Sequence, residues 1–311
     1  MGYQGIGNKL ANKQVVVLDG GVATEVLRRG VYWRSHGMEQ HPEVTRQVHV
    51  DYLAAGADVI RTNTFQLNRR AYLNLFHGSE HMRRIGATDL EHKAGLLIRQ
   101  AVQLALEARR VAGLDSDGAA IAGVVSPLEH CFRPDLGPPV DQCRVEHAEI
   151  IGQMKDAGVD FILLESMNRI AEAEVACEAA RKAGLPVWAS FVVREDGRLL
   201  SRESLSEAVK AAEAAGAEVV AVNCAPLPDI TTAVTELRKR RAGPIGGFAH
   251  IGRYDPPGWK FGFYPRFTGI DAVPPAKYLE AARQWKSLGA QVIGGCCGTT
   301  PKHIRAVRDR L

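Results

Sequence analysis

The segment AAGADVI, residues 54–60, joins the end of a helical pattern to a short apolar run. Close variants recur as DAGVDFI at 156–162, AAGAEVV at 214–220 and SLGAQVI at 287–293. Each variant has a glycine where a helix is expected to end, followed by the apolar residues of a buried strand. The same helix-to-strand connection therefore occurs four times, which indicates a chain built from repeated strand–helix units.

Eight apolar runs of strand length follow one another along the 311 residues: 15–21, 57–65, 119–127, 159–166, 186–193, 217–224, 244–250 and 290–297. Helical patterns separate them, for example at 42–56, 168–184 and 204–216. Eight such units predict an α/β fold of the (β/α)8 TIM-barrel type. A doubly wound sheet is the alternative, but no Gly-x-Gly-x-x-Gly follows the first run. We expect residues 1–311 to form one barrel domain, with loops or excursions at 66–92, 128–143 and 249–273.

Composition excludes several classes of protein. Hydrophobic residues make up 46% of the chain and charged residues 24%, and the net charge is only +4. The basic residues are scattered, so we expect no nucleic-acid partner and no membrane-binding helix. The polar N-terminus lacks a secretory signal, and six cysteines do not form a disulfide scaffold in a chain of this length. These features predict a cytoplasmic protein, in which clustered cysteines more often bind metal or take part in catalysis.

Three cysteines fall where a barrel carries its active site, at the carboxyl ends of the strands. Cys224 ends the sixth predicted strand, and Cys296 and Cys297 end the eighth. Cys131 and Cys143 are expected away from this rim, and Cys177, in an alanine-rich helix, is expected to pack in the core; those three complete the cysteines of the chain.

Three converging thiolates suit Zn²⁺, which takes four ligands in tetrahedral geometry and keeps one position open in catalytic sites. The glycines around Cys296 and Cys297 allow a turn tight enough for adjacent residues to bind one ion. The alternative is that both cysteines are small packing residues in a glycine turn. Because three anionic ligands weaken the Lewis acidity of zinc, we expect it to hold a fourth thiol as a thiolate, for alkyl transfer to that sulfur.

With these motifs the sequence resembles the homocysteine S-methyltransferases. The matching motifs are LDGGVATE (18–25), the segment 41–65, LLES (163–166), VNC (222–224) and GGCCGTTPKHI (294–304), and the resemblance covers almost the whole chain. It implies a zinc-dependent (β/α)8 barrel that methylates homocysteine to methionine. It also implies that the zinc ligands are Cys224, Cys296 and Cys297.

The resemblance further implies how the amino acid is bound. Asp19 and Glu165 match the acids that hold the amino group of homocysteine, and Gly20 and Thr62 match backbone contacts to it. Two carboxylates near a barrel mouth can indeed pair with an ammonium group. The alternatives are that Asp19 is a turn residue before two glycines, and that Glu165 is a salt-bridged acid or a partner of a helix N-cap.

Differences between this sequence and one branch of the family indicate the methyl donor. The chain looks closest to the betaine–homocysteine branch, and Trp33 matches its donor-binding tryptophan, whose ring would attract an onium methyl group. Gln66 and Ser166, however, stand where that branch has tyrosines. The sequence ends at Leu311, so we also expect the C-terminal arm of that branch to be lacking. These departures favour a sulfonium donor such as S-methylmethionine over betaine.

The sequence alone leaves several alternatives open for the donor site and for the function. Tyr254, Trp259 and Phe261 either build a different donor pocket or belong to an ordinary proline-rich loop. The methyl group could also come from a corrinoid or folate donor on a separate protein, for which this sequence has no module. From another class, the chain could be a non-catalytic zinc- or thiol-binding barrel. The sequence leaves open whether the protein assembles into a homo-oligomer.

Overall fold

The computed structural model describes residues 2–31, 34–75, 80, 84, 90–115, 118–255, 266–268 and 272–311. Its strands are β1 (Val16–Val17), β2 (Val59–Arg61), β3 (Ala120–Val125), β4 (Phe161–Met167), β5 (Val187–Val192), β6 (Val219–Asn223), β7 (Ile245–Phe248), β8 (Arg253–Asp255), β9 (Arg266–Thr268) and β10 (Val292–Ile293). Its α-helices are α1 (Gly2–Ala11), α2 (Val22–Arg28), α3 (Pro42–Ala54), α4 (Arg69–Leu75), α5 (Leu90–Val111), α6 (Val140–Ala157), α7 (Ile170–Lys182), α8 (Leu205–Ala214), α9 (Leu227–Arg240), α10 (Pro275–Ser287) and α11 (Pro301–Arg310). Two 3₁₀ helices cover Arg34–Gly37 and Pro134–Leu136.

Eight parallel strands form one sheet in the order β1-β10-β7-β6-β5-β4-β3-β2. A parallel bridge between Leu18 and Val59 then joins β1 to β2, and the Asp19 N–H donates to the Val59 carbonyl at 3.0 Å. The ring of strands is therefore nearly closed, and the predicted (β/α)8 barrel is confirmed. Each predicted run contains one barrel strand, while β8 and β9 pair as an antiparallel hairpin within the predicted excursion at 249–273.

The recurring glycine ends its helix, as the sequence predicted, and the structure shows that it does so in a left-handed conformation. Gly158 follows α6 with φ of 100°, and its N–H donates to the carbonyls of Met154 and Lys155. The equivalent glycines 56, 216 and 289 have φ values of 92°, 95° and 94°. Because L-residues with side chains rarely adopt this left-handed conformation, glycine allows each helix to stop and the next strand to begin at once.

The N-terminal helix α1 covers the barrel at the amino ends of its strands. The Tyr3 ring lies 5.2 Å from that of Phe161, and its hydroxyl accepts a hydrogen bond from Trp188 Nε1 at 2.8 Å. Ile6 and Leu10 are buried against the same interior cluster. The carboxyl ends of the strands, where the predicted site residues lie, form the opposite mouth. In the described ranges, no helix has the length and apolar character needed to span a bilayer.

A capping box fixes the start of α8. The Ser204 hydroxyl accepts from the Glu207 N–H at 3.1 Å, and the Glu207 carboxylate accepts from the Ser204 N–H at 3.3 Å. We expect Ser204→Ala to lower the free energy of unfolding by about 1 kcal/mol, because the Glu207 N–H at the helix start loses its acceptor and the Glu207 carboxylate loses the hydrogen bond from the Ser204 hydroxyl. Denaturant unfolding measures this. Ser206→Ala is the matched control in the same helix, expected within about 0.5 kcal/mol of wild type; equal losses for both would contradict the capping role.

Candidate metal and amino-acid site

The three predicted cysteines meet at the carboxyl ends of the barrel strands. Cys224 follows β6, and Cys296 and Cys297 follow β10 after two glycines. Their sulfurs all lie within 4.8 Å of one another, and the Cys296 and Cys297 sulfurs are 4.0 Å apart. A tetrahedral zinc with sulfur ligands at about 2.3 Å separates two sulfurs by about 3.8 Å. The observed spacing therefore fits one metal ion held by all three thiols.

Close packing of the backbone forms the turn that presents Cys296 and Cys297. A Cβ added to Gly295 would lie 2.1 Å from Thr299 Oγ1, so only glycine fits there. Thr299 closes the turn, because its N–H and its hydroxyl both donate to the Cys296 carbonyl, at 3.1 and 2.6 Å. The two adjacent thiols are thus held by the backbone on the same side of the mouth.

Backbone strain is concentrated around this mouth. Gln66, Ser166 and Cys224 have φ values of 56°, 60° and 54°, although none of them is glycine. They follow or end β2, β4 and β6, which are alternate strands of the barrel. Such left-handed residues cost free energy and cluster at functional sites, where the surrounding structure enforces them.

Asn223, the last residue of β6, connects this strained backbone to a cysteine sulfur. Its Oδ1 accepts from the Ser166 N–H at 3.1 Å and from the Ser190 hydroxyl at 2.7 Å. Its Nδ2 donates to the Ser166 hydroxyl at 2.7 Å and approaches the Cys296 sulfur at 3.9 Å. The sequence placed Asn223 in the motif VNC, at a strand end, without assigning it a role. Its position in an apolar run, directly before Cys224, was the available signal that it positions the sulfurs.

Without a cation, the thiols resist losing their protons. The hydrogen bond with Cys224 lowers the pKa of Cys296. The hydrogen bond with Cys297 and burial have a larger effect in the opposite direction, and the pKa is raised to about 12. The pKa of Cys224 is raised well above its usual value by its hydrogen bonds with Cys296 and Cys297 and by burial. A bound dication would supply the positive charge that three neighbouring thiolates need.

A cavity lies beside the sulfurs and opens to solvent. Its empty space, which includes open solvent at the mouth, is about 560 Å³, and its lining includes Gly20, Thr62, Glu165, Ser166 and the three clustered cysteines. Cys131 lines it as well, which corrects the expectation that this residue lies away from the rim. The loop after β3 brings it to the mouth, and burial raises the pKa of its thiol. Cys131 does not belong to the group of sulfurs within 4.8 Å of one another.

The two predicted acids are joined by an arginine that the sequence did not single out. Arg61, the last residue of β2, donates from Nε to Asp19 Oδ1 at 2.6 Å and from its backbone N–H to Asp19 Oδ2 at 2.9 Å. Its Nη1 donates to Glu165 Oε2 at 3.0 Å. Asp19 and Glu165 therefore lie at one site, as predicted, but each already has a cationic partner. A charged residue within the apolar run 57–65 was the only sequence signal.

Burial and Arg61 have opposite effects on the pKa values of Asp19 and Glu165. Burial raises the pKa of Asp19, and Arg61 opposes that shift. Burial also raises the pKa of Glu165, to about 7, with Arg61 again opposing it. Burial alone would lower the pKa of Arg61, but Glu165 and Asp19 raise it well above its usual value. The guanidinium therefore keeps its charge at all physiological pH values.

Gly20 and Thr62, the two residues predicted to contact the amino acid through their backbone, differ in the hydrogen bonds that their backbone groups already make. The Gly20 carbonyl accepts from Arg61 Nη2 at 2.6 Å, whereas its N–H donates to no described residue. The Thr62 N–H donates to the Ala122 carbonyl at 3.0 Å, and the Thr62 carbonyl accepts from Thr64 at 2.8 Å. Gly20 can therefore offer a backbone donor to a ligand, while the backbone groups of Thr62 are already used within the barrel.

The predicted donor residues cannot be placed. Trp33, Trp259 and Phe261 lie outside the described residues, and only the backbone of Tyr254, in β8, is described. Of the two positions that departed from the betaine branch, Ser166 lines the cavity. Gln66 donates its N–H to the Ser126 hydroxyl at 2.9 Å.

Comparison with known proteins gives a consistent result. A family model described as homocysteine S-methyltransferase matches residues 16–311 of the chain. Betaine–homocysteine S-methyltransferase 1 from Bos taurus is 29% identical in an alignment 327 residues long, which covers 99% of this chain and 75% of that protein. Homocysteine S-methyltransferase from Escherichia coli (strain K12) is 28% identical over 319 residues, covering 97% of this chain and 96% of that protein.

A solved structure shows the same fold. The metallated form of the homocysteine methyltransferase MmuM from Escherichia coli aligns over 100% of both chains with a TM-score of 0.78. The two sequences are 24% identical, so this likeness bears on the fold and not on individual site residues.

Proposed function

The chain belongs to the homocysteine S-methyltransferase family and is a methyltransferase that acts on a thiol, and we propose that it methylates homocysteine from a small onium donor, giving methionine. The observation that carries the proposal is the meeting of three cysteine sulfurs at the wall of a cavity that Glu165 also lines. A thiol-binding metal and a carboxylate that can pair with an ammonium are the two features that recognition of homocysteine requires.

The metal that we propose is Zn²⁺, with Cys224, Cys296 and Cys297 as its ligands. The all-sulfur donor set favours zinc over hard cations such as Mg²⁺, which prefer oxygen ligands. When bound, zinc holds a thiol as a nucleophilic thiolate at neutral pH. Around it, Thr299 keeps the turn closed and Asn223 fixes the Cys296 sulfur.

The acceptor site that we propose extends from the sulfurs towards Arg61. Glu165, with Asp19 paired to Arg61 beside it, supplies the negative charge that the ammonium group of homocysteine needs, and the Gly20 N–H is available to its carboxylate. Thr62 lines the cavity beside them. In the transfer, the homocysteine sulfur bonds to the methyl carbon, the bond from that carbon to the donor sulfur or nitrogen breaks, and the thiol proton goes to solvent.

The donor that we propose is a sulfonium compound such as S-methylmethionine. The thiolate sulfur, the methyl carbon and the leaving atom must lie nearly in line, so the donor cation has to be held opposite the acceptor sulfur. The positive charge of the donor falls during transfer, so a strongly anionic donor pocket would stabilise the ground state more than the transition state. An aromatic wall attracts the cation less strongly, which suits Trp33.

Trp33→Ala is expected to raise the KM of the sulfonium donor roughly 2- to 30-fold, because a cation–π contact contributes about 0.5–2 kcal/mol. The KM of homocysteine should change little. Steady-state kinetics with each substrate varied in turn measures both constants. A mutant whose donor KM stays at the wild-type value would show that Trp33 lies outside the donor site.

The deciding experiment for the proposed function is a donor panel with the purified, zinc-loaded chain, homocysteine and no second protein. We expect methionine to form, with a higher kcat/KM for S-methylmethionine than for betaine. A preference for betaine would overturn the donor assignment. Methionine formation only after a corrinoid or folate methyl carrier is added would replace the onium donor by a donor on a separate protein.

The setting that we propose is the cytoplasm, whose reducing conditions keep the three thiols free for a metal. The partners that we propose are homocysteine and the methyl donor, without nucleic acid or membrane. One domain over residues 1–311 and assembly into a homo-oligomer stay predictions.

A further inference from the structure

We propose that, of the two acids, only Glu165 contacts the ammonium group of homocysteine. Asp19 acts indirectly, by holding Arg61 in place. This inference rests on the proposed function, because it concerns the amino group of homocysteine. It assigns different roles to two acids that the sequence treated as equivalent. Glu165 is then a binding residue, whereas Asp19 and Arg61 are positioning residues.

Asp19 is closed off from the cavity. It is 0% exposed, and it is absent from the lining residues, which include its neighbours Gly20 and Gly21. Both of its carboxylate oxygens accept from Arg61, one from Nε and one from the backbone N–H. An ammonium group could reach this carboxylate only by displacing the guanidinium.

The Arg61 guanidinium is held too firmly for such a displacement. Its Nη2 donates to the carbonyls of Gly20 and Gly295, both at 2.6 Å. Its central carbon lies 5.3 Å from the centre of the Phe248 ring, on which it can form a cation–π contact. Moving the side chain would leave buried carbonyls without donors and the Asp19 charge without a partner, both of which are costly.

Glu165 is placed differently. It lines the cavity, and only its Oε2 is bonded to Arg61. Its Oε1 accepts from no described residue, so one carboxylate oxygen is available to a ligand. The available oxygen belongs to Glu165 of β4, next to the strained Ser166 in the same strand, and β4 lies across the barrel from β10, which precedes the cysteine turn.

The charges of the three side chains support this division. When both carboxylates are ionised, the charge of Arg61 cancels one of them, and the trio carries one net negative charge. One ammonium group balances that charge. Arg61 also contacts Gly295, the residue before Cys296, so a single side chain sets the position of the ammonium-binding carboxylate relative to the thiols.

The test compares homocysteine with 4-mercaptobutanoate, the same thiol acid without the amino group. The readout is the ratio of their kcat/KM values, which a general loss of fold or activity would not change. Glu165→Gln is expected to lower this ratio roughly 10- to 100-fold, since it removes a charge-assisted contact to the ammonium. Asp19→Asn is expected to lower both kcat/KM values while leaving their ratio within about threefold of wild type.

Arg61 provides the conservative-variant control. Arg61→Lys keeps the charge and should retain more activity than Arg61→Met, and its ratio should stay closer to that of wild type, because Arg61 positions Glu165. A ratio that falls as far in Asp19→Asn as in Glu165→Gln would overturn the inference while leaving the proposed function intact. A wild-type enzyme that methylates neither thiol would overturn both.

A structure of the wild-type protein with homocysteine bound gives a second test that needs no variant to fold. The ammonium nitrogen should lie within hydrogen-bond distance of Glu165, with the ion pair between Arg61 and Asp19 intact. An ammonium bonded to Asp19, with Arg61 displaced, would overturn the inference.

Discussion

Replacing Cys224, Cys296 or Cys297 by alanine, one at a time, is expected to abolish metal binding and methyl transfer together. The three sulfurs lie within 4.8 Å of one another, so each variant would remove one of the three proposed ligands of the same ion. Because the free energy of zinc binding comes from only a few ligands, the loss of one cysteine ligand should weaken zinc affinity on the order of a hundredfold or more. Zinc content after gel filtration and methionine formation measure the two losses.

Cys131→Ala is the matched control for these variants. Cys131 lines the same cavity but lies outside the cluster of three sulfurs. It should therefore keep one zinc per chain. Full zinc occupancy in all three single variants of the cluster would show that these cysteines do not hold the metal.

Arg61→Met is expected to be the most destabilising single change at the site, lowering the free energy of unfolding by about 3–5 kcal/mol. Arg61 is 4% exposed and pairs with a carboxylate that is 0% exposed. Removing the guanidinium leaves the Asp19 charge buried without a partner and two carbonyls without a donor. Equilibrium denaturant unfolding of the zinc-loaded protein measures the loss.

Arg144→Met provides the comparison for Arg61→Met, since Arg144 pairs with Glu178 and both side chains are more than 40% exposed. Exposed ion pairs contribute about 0–1 kcal/mol, so this variant should be nearly as stable as wild type. Adding Asp19→Asn to Arg61→Met should recover part of the lost stability, because the unpaired charge disappears. Equal stability of the two single arginine variants would contradict the role of Arg61.

The repeated strand–helix pattern was sufficient to predict the barrel. Local residues determine each connection: the glycine of AAGADVI adopts the left-handed conformation that ends the helix, and the apolar residues after it are buried in the strand. Three of the site residues were also accessible to sequence reasoning, because Cys224, Cys296 and Cys297 each stand at a strand end. Parallel strands that close into a barrel must bring such residues to the same mouth.

The contacts of Arg61 that sequence reasoning missed depend on side chains from different strands of the barrel. Arg61 is separated from Asp19 by 42 residues and from Glu165 by 104, so no local pattern pairs them. Cys131 reaches the cavity through the path of a loop, which periodicity does not predict.

The most direct test of the account uses S-methylmethionine with deuterated S-methyl groups and homocysteine with a ¹³C-labelled carbon chain, because the demethylated donor leaves as methionine itself. The purified chain is incubated with both substrates, once zinc-loaded and once after removal of the metal by a chelator, and the methionine formed is analysed by mass spectrometry. We expect methionine that carries both the ¹³C chain and the deuterated methyl group from the zinc-loaded protein, and only background from the stripped protein until zinc is restored. Doubly labelled methionine formed equally well without metal, or none in either sample, would contradict the account.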